Sequence, residues 1–276
     1  MKEFHMKKDF INWLIGFLDA EGNFQVFPKV QKNKEGLITR YGIGVGFHIG
    51  LHIRDIAILE LIKIELGDLG KIYEYEKKKE AHYAITKKEE LREFICKLFK
   101  ENNQLLTDYQ YNRFIVIKTV LDKNLKSTIT KEEFEKLINM QFNNESQYDS
   151  ITKDIQFVKS WIIGFINGEG SFYTVKNAHR FVIEHTDIKA LSLIKEHINL
   201  SVTIAKVKIR GNRKQTYCIS TTSKENSNKV IQFIENNNQL QGYKLKQFNE
   251  FKNSFYKKKV DNFTDYGKNN CLSRMR

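Results

Sequence analysis

Residues 13–24 read WLIGFLDAEGNF and residues 161–172 read WIIGFINGEGSF, so one dodecapeptide occurs twice in the chain, 148 positions apart. Trp, Ile, Gly, Phe, Glu, Gly and Phe recur in register between the two copies. The apolar residues of each copy have helical spacing, which predicts an amphipathic helix that ends near the glutamate. Because sequence repeats mark repeated supersecondary units, the chain is expected to contain two related halves.

Two further pairs of segments extend the repeat over most of the chain. DIAILELIKIELG begins at Asp55 and DIKALSLIKEHIN at Asp187, while ENNQLLTDYQYNRF begins at Glu101 and ENNNQLQGYKLKQF at Glu235. The segments that begin with aspartate are only 132 positions apart, so the first half carries about 16 additional residues. We expect these residues within PKVQKNKEGLITR, residues 28–40, as a polar loop between two strands.

Hydrophobic periodicity predicts the same order of elements in each half: helix, strand, strand, helix, strand, strand, helix. The expected fold class is α+β, with two αββαββα units packed through their motif helices and with antiparallel sheets. The predicted organisation is an N-terminal unit at 1–121, a polar linker at 122–154, a C-terminal unit at 155–256 and a basic tail at 257–276.

Small residues occupy one face of each repeated helix. Gly16 and Ala20 are four positions apart in the first copy, as are Gly164 and Gly168 in the second, and this spacing places each pair on one face. Glycine inside a helix costs about 1 kcal/mol relative to alanine, so a compensating interaction is expected. Small residues at this spacing allow two helix backbones to approach closely. The two repeated helices are therefore expected to pack directly against each other.

A glutamate followed by a glycine closes both repeats, as Glu21-Gly22 and Glu169-Gly170. Glycine here fits the left-handed residue that commonly ends a helix, which would place each glutamate at a helix C-terminus. The helix dipole is negative at that end, so a carboxylate there is electrostatically unfavourable. If the helices pair in parallel, the two carboxylates meet at one end of the interface and repel each other.

A divalent cation would relieve this repulsion, since carboxylate and backbone carbonyl oxygens are suitable ligands. We expect Glu21 and Glu169 to hold the cation together with the carbonyl groups of Ala20 and Gly168. One glutamate alone would be interpreted as a solvated residue near an ordinary helix end. Two of them in duplicated register, behind small residues on both helices, favour a metal site.

The composition favours a nucleic-acid partner over the alternative of a merely soluble basic protein. Lys and Arg number 46 against 33 Asp and Glu, a net charge of +13, and an excess of this size favours polyanions. The sequence has no run of about 18 apolar residues, so no membrane span is expected. Abundant Lys, Asn, Ile and Phe suggest an A/T-rich genome, either of an organelle such as the mitochondrion or of an A/T-rich microbe.

The segments LIGFLDAEG, at Leu14–Gly22, and IIGFINGEG, at Ile162–Gly170, resemble the motif of the LAGLIDADG homing endonuclease family in its single-chain, two-motif form. The resemblance covers nearly the whole chain through the duplicated pattern of elements. It implies motif helices paired at a pseudo-twofold axis and two antiparallel sheets that form a saddle over the major groove of double-stranded DNA. It also implies that a monomer cuts both strands at a long asymmetric target, as in intron homing.

The resemblance assigns Glu21 and Glu169, the acidic residues before the last glycine of each motif, to the binding of a divalent cation, taken as Mg²⁺. Each would support cleavage of one strand, since a bound cation lowers the pKa of a water molecule and steadies the leaving oxygen. The earlier acid of the motif is Asp19 in the first copy but Asn167 in the second. That position is less critical in the family, so the change does not imply an inactive enzyme.

The family also places a basic residue near each scissile phosphate. Lys244, in LQGYKLKQF, matches that residue in the second half, where it would stabilise developing charge. The corresponding residue in the first half is Gln110, in LTDYQYNRF, which puts a symmetric mechanism in doubt. Lys206 and Lys71 are weaker candidates, for which ordinary phosphate contact is the alternative role.

Strand alternation separates core residues from residues expected to face DNA. In the first half, Phe24 and Val26 are expected in the core and alternate with residues of the opposite face. In the second half, Val207 and Ile209 are expected in the core and alternate with basic residues. Gln, Asn and Arg can read base edges in the major groove, whereas lysine more often contacts the DNA backbone. The residues expected to contact DNA are Gln25, Lys29, Arg40, Lys71, Lys206, Lys208 and Arg210. A solvated strand face is the alternative role for each of them.

Two other functions fit the same fold and charge. An RNA maturase would bind its own group I intron RNA and assist splicing, either alone or in addition to DNA cleavage. A DNA-binding regulator would keep the fold and lack the chemistry. The presence of both Glu21 and Glu169 favours an active nuclease, because neither alternative needs the two carboxylates.

Overall fold

The computed structural model describes residues 8–99, 103–128, 130–142, 145–175, 178–209, 211, 214–237 and 240–272. The first half contains α1 (Lys8–Glu21), β1 (Gly22–Lys32), β2 (Ile38–His52), α2 (Ile56–Glu65), β3 (Lys71–Tyr75), β4 (Glu80–Ile85), α3 (Lys88–Leu98) and α4 (Asp108–Asp122). Between the halves lie β5 (Ser127–Thr128), α5 (Lys131–Ile138) and α6 (Glu145–Ile151). The second half contains α7 (Ile155–Glu169), β6 (Gly170–Val175), β7 (Ala178–His185), α8 (Ile188–Ile198), β8 (Ala205–Lys206), β9 (Tyr217–Thr221), α9 (Lys224–Asn237) and α10 (Gly242–Leu272).

The strands form one antiparallel sheet in each half. The first sheet has the order β1-β2-β4-β3, with β5 beside β2, and the second has the order β6-β7-β9-β8. In β4, Ala81, Tyr83 and Ile85 are buried while the residues between them are partly exposed, so one face of this sheet packs against the core. The expected α+β fold with a duplicated order of elements is confirmed, and one further helix, α4 or α10, closes each half.

The additional residues of the first half lengthen a hairpin. Strands β1 and β2 stay paired over residues 22–32 of β1 and turn through residues 33–37. Asn33 Oδ1 closes the turn by accepting a hydrogen bond from the Leu37 backbone N–H (2.9 Å). The expected position of the additional residues is therefore confirmed, but most of them extend the two strands and only residues 33–37 form a loop. Pro28 fits within β1 because this is an edge strand, where a missing N–H is tolerated.

The residues between the halves form short elements of their own. Strand β5 joins the first sheet, and α5 begins with a capping box in which Thr130 and Glu133 each bond the other's backbone N–H. The backbone of α10 stays helical to Leu272, beyond the expected start of the tail at 257. The expected domain boundaries remain a prediction.

No helix among the described residues combines the length and the apolar character needed to cross a membrane.

Helices α1 and α7 pack backbone to backbone through their glycines. An ideal Cβ on Gly16 would lie 2.0 Å from the Trp161 carbonyl oxygen, and one on Gly164 would lie 1.9 Å from the Trp13 carbonyl oxygen. These contacts are reciprocal, which is the relationship expected from two repeats around a pseudo-twofold axis. The expected direct packing of the repeated helices is therefore observed.

The two helices run in parallel. At their first turns, Gln156 Nε2 donates to Asp9 Oδ1 (3.3 Å), and at their last turns Gly168 lies against Ala20. The apolar side chains on the flanks of both helices join one continuous core that spans the two halves. The ends of α1 and α7 are consequently fixed side by side.

Gly22 and Gly170 follow the helices without a left-handed conformation. Gly170 has φ −67° and ψ 148°, which is extended backbone, and Gly22 has no positive φ. An ideal Cβ would lie 2.6 Å from the Leu18 carbonyl oxygen at Gly22, and 2.6 Å from the Ile166 carbonyl oxygen at Gly170. The expected left-handed helix end is wrong. Glycine is needed because the chain enters a strand directly against the last turn of its own helix.

Replacing Gly164 with alanine should force the two motif helices apart. The new methyl group would meet the Trp13 carbonyl oxygen at 1.9 Å and the Phe17 nitrogen at 2.8 Å, both of them backbone atoms. Overpacking costs about 1–3 kcal/mol, so the free energy of unfolding in urea should fall by about 2 kcal/mol or more. Gly46→Ala is the control, since its Cβ would have 3.5 Å to the nearest atom. Equal losses in both variants would contradict the close-contact explanation.

Candidate active site

Glu21 and Glu169 end helices α1 and α7, and the packing of these helices brings their last turns together. An ideal Cβ on Gly168 would lie 2.5 Å from Ala20 Cβ and 2.9 Å from Glu21 Cγ. The first glutamate therefore packs against the residue that precedes the second. Both glutamates are half-buried. One carboxylate from each half thus lies at the same end of the helix pair.

The environment of the two carboxylates disfavours their ionised forms. Burial and, next, the negative charge of Glu21 raise the pKa of Glu169 to about 7, while Lys244 opposes this rise. Burial also raises the pKa of Glu21, with a further contribution from Asp55 and opposition from Lys244. A divalent cation would stabilise both ionised carboxylates, so the arrangement fits the cation site expected from the sequence.

The backbone around the glutamates offers further oxygen ligands. Ala20 and Gly168 lie in the last helical turns, whose carbonyl groups have no following turn to bond. Within the part of the chain that the structure describes, no three or more His, Cys, Asp or Glu side chains cluster as a metal site. A cation would therefore depend on two carboxylates, backbone carbonyls and oxygens from water or phosphate. Such an incomplete protein ligand set suits a site that binds a substrate.

Lys244 and Gln110 occupy equivalent places at the starts of α10 and α4. Lys244 Nζ donates a hydrogen bond to the Gly170 carbonyl oxygen, and Gln110 Nε2 donates one to the Gly22 carbonyl oxygen. Equivalent side chains thus bond equivalent carbonyl groups, next to the glutamate of each motif. The two positions differ in charge, because Lys244 carries a cationic side chain and Gln110 carries a neutral amide.

Lys244 lies among carboxylates from both halves. Burial lowers its pKa, whereas Glu21, Asp55 and Glu169 raise it, in decreasing order of effect. Glu21 and Lys244 also line a cavity of about 270 Å³, whose wall comes from both halves of the chain. In this wall the Arg54 guanidinium carbon lies 3.7 Å from the centre of the Tyr243 ring.

Each half caps the last helix of the other half. Asp55 Oδ1 accepts a hydrogen bond from the Tyr243 backbone N–H (2.6 Å) at the start of α10, and Asp187 Oδ2 accepts one from the Asp108 backbone N–H (3.0 Å) at the start of α4. Gly242 has φ 60°, and a Cβ there would lie 2.5 Å from Asp55 Oδ1. A carboxylate at a helix N-terminus is stabilising. Sequence reasoning found these aspartates as a repeated pair and missed this role.

The earlier acid of the first motif is a structural anchor. Asp19 is 1% exposed and accepts hydrogen bonds of 2.6–3.1 Å. The donors are the backbone N–H groups of Leu106 and Thr107, the Thr107 hydroxyl and the Trp161 indole N–H. Burial raises the pKa of Asp19 to about 7 against the effect of these bonds. Its counterpart Asn167 accepts a hydrogen bond from the Gln241 backbone N–H (2.6 Å), directly before α10. In both halves this motif position therefore supports the start of the last helix, α4 or α10.

Four residues expected to contact DNA lie on the face of the first sheet that is turned away from the core. Gln25 and Lys29 alternate in β1 with buried residues such as Phe24, and Arg40 and Lys71 have the same orientation in β2 and β3. Lys29, Arg40 and Lys71 are exposed, and Gln25 is half-buried. Their contact with DNA remains a prediction.

The second half differs from expectation around β8. This strand has two residues, and Lys206 pairs with Tyr217, whose ring packs against the core. Paired residues share a face, so Lys206 lies on the core-facing side at the sheet edge. The expected alternation is therefore wrong, because it placed Lys206 on the opposite face. Ile209, expected in the core, is 52% exposed. Lys208 is exposed beyond the strand, and Arg210 lies outside the described residues.

Comparison with known proteins identifies relatives in sequence. A sequence model described as LAGLIDADG endonuclease matches residues 14–121 and 162–255. The chain is 29% identical over 240 residues to the probable intron-encoded endonuclease Cox1-I1b of Schizosaccharomyces pombe, covering 83% of this chain and 60% of that protein. It is 26% identical to the probable intron-encoded endonuclease 3 of Neurospora crassa, covering 71% of this chain and 43% of that protein. The chain thus spans about half the length of these curated relatives.

Solved structures share the fold over nearly the whole chain. I-SmaMI bound to uncleaved DNA target in the presence of calcium ions has a TM-score of 0.69 at 21% identity, covering 95% of this chain and 96% of that one. I-CpaMI bound to uncleaved DNA has a TM-score of 0.65 at 22% identity, covering 95% and 97%. The family match includes both motifs and both halves, and the chain therefore belongs to the LAGLIDADG endonuclease family.

Proposed function

We propose that this protein is a site-specific endonuclease of intron homing, which hydrolyses one phosphodiester bond in each strand of a long asymmetric DNA target. The observation that carries the proposal is the convergence of Glu21 and Glu169, one from each half, with Lys244 beside them. One carboxylate per half matches the need to cut two strands. A net charge of +13 favours binding to the DNA backbone.

Mg²⁺ is the proposed cofactor of this site. Glu21 and Glu169 would hold it with the carbonyl groups of Ala20 and Gly168, and when bound it supplies a more acidic water and neutralises charge on the leaving oxygen. The I-SmaMI structure, solved with DNA and calcium ions, supports a divalent cation. Lys244, held by its bond to a backbone carbonyl, presents a fixed positive charge that would stabilise the negative charge developing on the phosphate.

The proposed partner is double-stranded DNA, bound by a monomer, because one chain supplies both carboxylates. The chain's own group I intron RNA is the alternative partner. If the wild-type protein promotes splicing of that intron and does not cut DNA, it is a maturase. We place the protein in the mitochondrion, because its abundant Lys, Asn, Ile and Phe are residues that A/T-rich codons encode and because its relatives in fungi are intron-encoded.

Glu21→Gln and Glu169→Gln should each block cleavage of at least one strand and leave DNA binding largely intact. Glutamine keeps the size of the side chain, but its neutral amide binds a divalent cation poorly. On plasmid DNA that carries the uninterrupted host gene, double-strand cleavage with Mg²⁺ should slow about 100-fold or more. Glu60→Gln, an exposed position on α2, is the matched control and should cut normally. Normal cutting by both motif variants would disprove the metal assignment.

Lys244→Gln would give the second half the residue that the first half has at Gln110. Because Gln110 bonds the Gly22 carbonyl, a glutamine at 244 can keep the bond to the Gly170 carbonyl, and the melting temperature should change little. Loss of the positive charge should slow cleavage about 100-fold to 1000-fold. Lys246→Gln, an exposed lysine on the same helix, is the control. A Lys244→Gln protein that cuts at the wild-type rate would leave this lysine with a structural role alone.

Cleavage should require more Mg²⁺ at pH 6 than at pH 8. Burial raises the pKa of Glu169 to about 7, so at pH 6 this carboxyl is mostly protonated and a cation must displace its proton. At pH 8 the carboxylate is already ionised. We expect the Mg²⁺ concentration for half-maximal cleavage to be about tenfold higher at pH 6. DNA binding in EDTA, measured at both pH values, is the control. Identical Mg²⁺ requirements would show that Glu169 is ionised throughout.

A further inference from the structure

Two histidines and a glutamate form a chain of hydrogen bonds on the face of the first sheet that is turned away from the core. In β2, His48 lies between the buried residues Phe47 and Ile49, so its side chain points to the opposite face. In β4, Glu80 and His82 alternate with buried residues in the same way. We call these three residues the histidine chain. They lie on the face where the proposed function places DNA.

His82 forms hydrogen bonds at both ring nitrogens. Its Nε2 is 3.0 Å from Glu80 Oε2, and its Nδ1 is 2.8 Å from His48 Nε2. The Tyr75 ring packs edge-on against the His82 ring, with 4.8 Å between centres. A Cβ on Gly50 would lie 3.3 Å from His48 Cε1, so the sheet closes off one side of that ring. These contacts hold both imidazoles in a single orientation.

The glutamate determines which ring nitrogens carry hydrogen. An ionised carboxylate can only accept a hydrogen bond, so His82 Nε2 carries the hydrogen in its bond to Glu80. A neutral imidazole has one N–H, which makes His82 Nδ1 an acceptor and His48 Nε2 the donor to it. His48 Nδ1 is then left as an acceptor, because the ring bonds His82 through Nε2.

The histidine chain adjoins the cleft that contains Glu21 and Lys244. Residues 50–52 line the cavity beside Glu21 and also line a neighbouring cleft of about 470 Å³, in whose wall lie Glu80 and His82. If the scissile phosphate of bound DNA lies near Glu21, base pairs close to the cut would therefore lie against the histidine chain.

We propose that His48 determines sequence specificity at one base pair near the cut, where its Nδ1 accepts a hydrogen bond from the amino group of cytosine or adenine, and that Glu80 and His82 position it. Cytosine N4 and adenine N6 are the amino donors of the major groove, whereas guanine and thymine present an oxygen acceptor there. An imidazole fixed as an acceptor therefore favours the first two bases. The inference rests on the proposed function, because it requires DNA on this face.

The surroundings of His48 keep it neutral near pH 7. Burial and, next, the adjacent His82 lower the pKa of His48, and β1 contributes the uncharged Asn23 opposite it. The other titratable groups on this face include Lys29 on β1, Arg40 and His52 on β2, Lys71, Tyr73 and Tyr75 on β3, Glu80 and His82 on β4, and Lys78 and Lys79 in the turn between β3 and β4. A His48 ring protonated at low pH would donate from Nδ1 and favour guanine or thymine instead.

Base preference at every target position provides the test. Sequences bound in EDTA at pH 8 would be selected from libraries in which one position of the target is randomised. The wild-type protein should prefer cytosine or adenine about fivefold or more at one position near the cut. His48→Phe keeps a ring and removes the acceptor, so the preference should disappear at that position alone.

The role of Glu80 is tested with a pair of variants. Glu80→Leu removes the acceptor that sets the tautomer of His82 and should weaken the same preference, whereas Glu80→Gln keeps an acceptor oxygen and should preserve most of it. Glu74→Gln, an exposed carboxylate on β3 outside the histidine chain, is the control and should leave every position unchanged. Equal effects of the leucine and glutamine variants would overturn the positioning role.

The wild-type protein supplies a measurement that needs no substitution. Selection at pH values lowered stepwise from 8, far enough to protonate His48, should shift the preference at the His48 position toward guanine or thymine and leave the other positions as they are. Sequence-specific cutting with preferences that respond neither to His48→Phe nor to pH would reject the histidine assignment while the proposed function stands. A wild-type protein that selects and cuts no sequence would reject both.

Discussion

The backbone contact between α1 and α7 is the constraint on which the rest of the structure depends. A Cβ at Gly16 or Gly164 would lie within 2.0 Å of a backbone oxygen of the other helix, so only glycine permits this separation. Glycine weakens each helix by about 1 kcal/mol, and the loss is offset because the pair buries Trp13 and Trp161 in the core. Parallel packing at this distance brings Glu21 beside the last turn of α7.

The site that results is electrostatically unfavourable, and contacts between the halves hold it in place. Burial and, next, the negative charge of Glu21 raise the pKa of Glu169, so the two half-buried carboxylates repel each other. Asp55 and Asp187 each cap the last helix of the opposite half. Lys244 directly follows a residue capped in this way, so its position depends on the first half as much as on the second. Motion of one half against the other would disturb both carboxylates and the lysine together.

Features set by local spacing could be predicted from the sequence, and features set by distant contacts could not. The repeat, the small residues and the paired glutamates led to the fold and to the place of the site. The left-handed end predicted at Gly170 failed because the chain can also leave a helix directly into a strand, where glycine removes a clash instead. The predicted orientation of Lys206 was wrong because a strand of two residues is too short to establish an alternation of faces. The hydrogen bond from the Tyr243 backbone N–H to Asp55 joins residues that are 188 positions apart, and no periodic pattern in the sequence indicates it.

The two halves share a backbone plan and differ in the chemistry around each glutamate. The carbonyl after one motif is bonded by a lysine and the carbonyl after the other by a glutamine. Burial raises the pKa of both glutamates most; Glu184 makes a smaller contribution at Glu169, and Asp55 makes one at Glu21. A symmetric dimer would carry every such feature twice, but a single chain encodes each one separately. The two carboxylates are therefore inequivalent acids, and two DNA strands held against them would meet different electrostatic environments even where the backbone around them is the same.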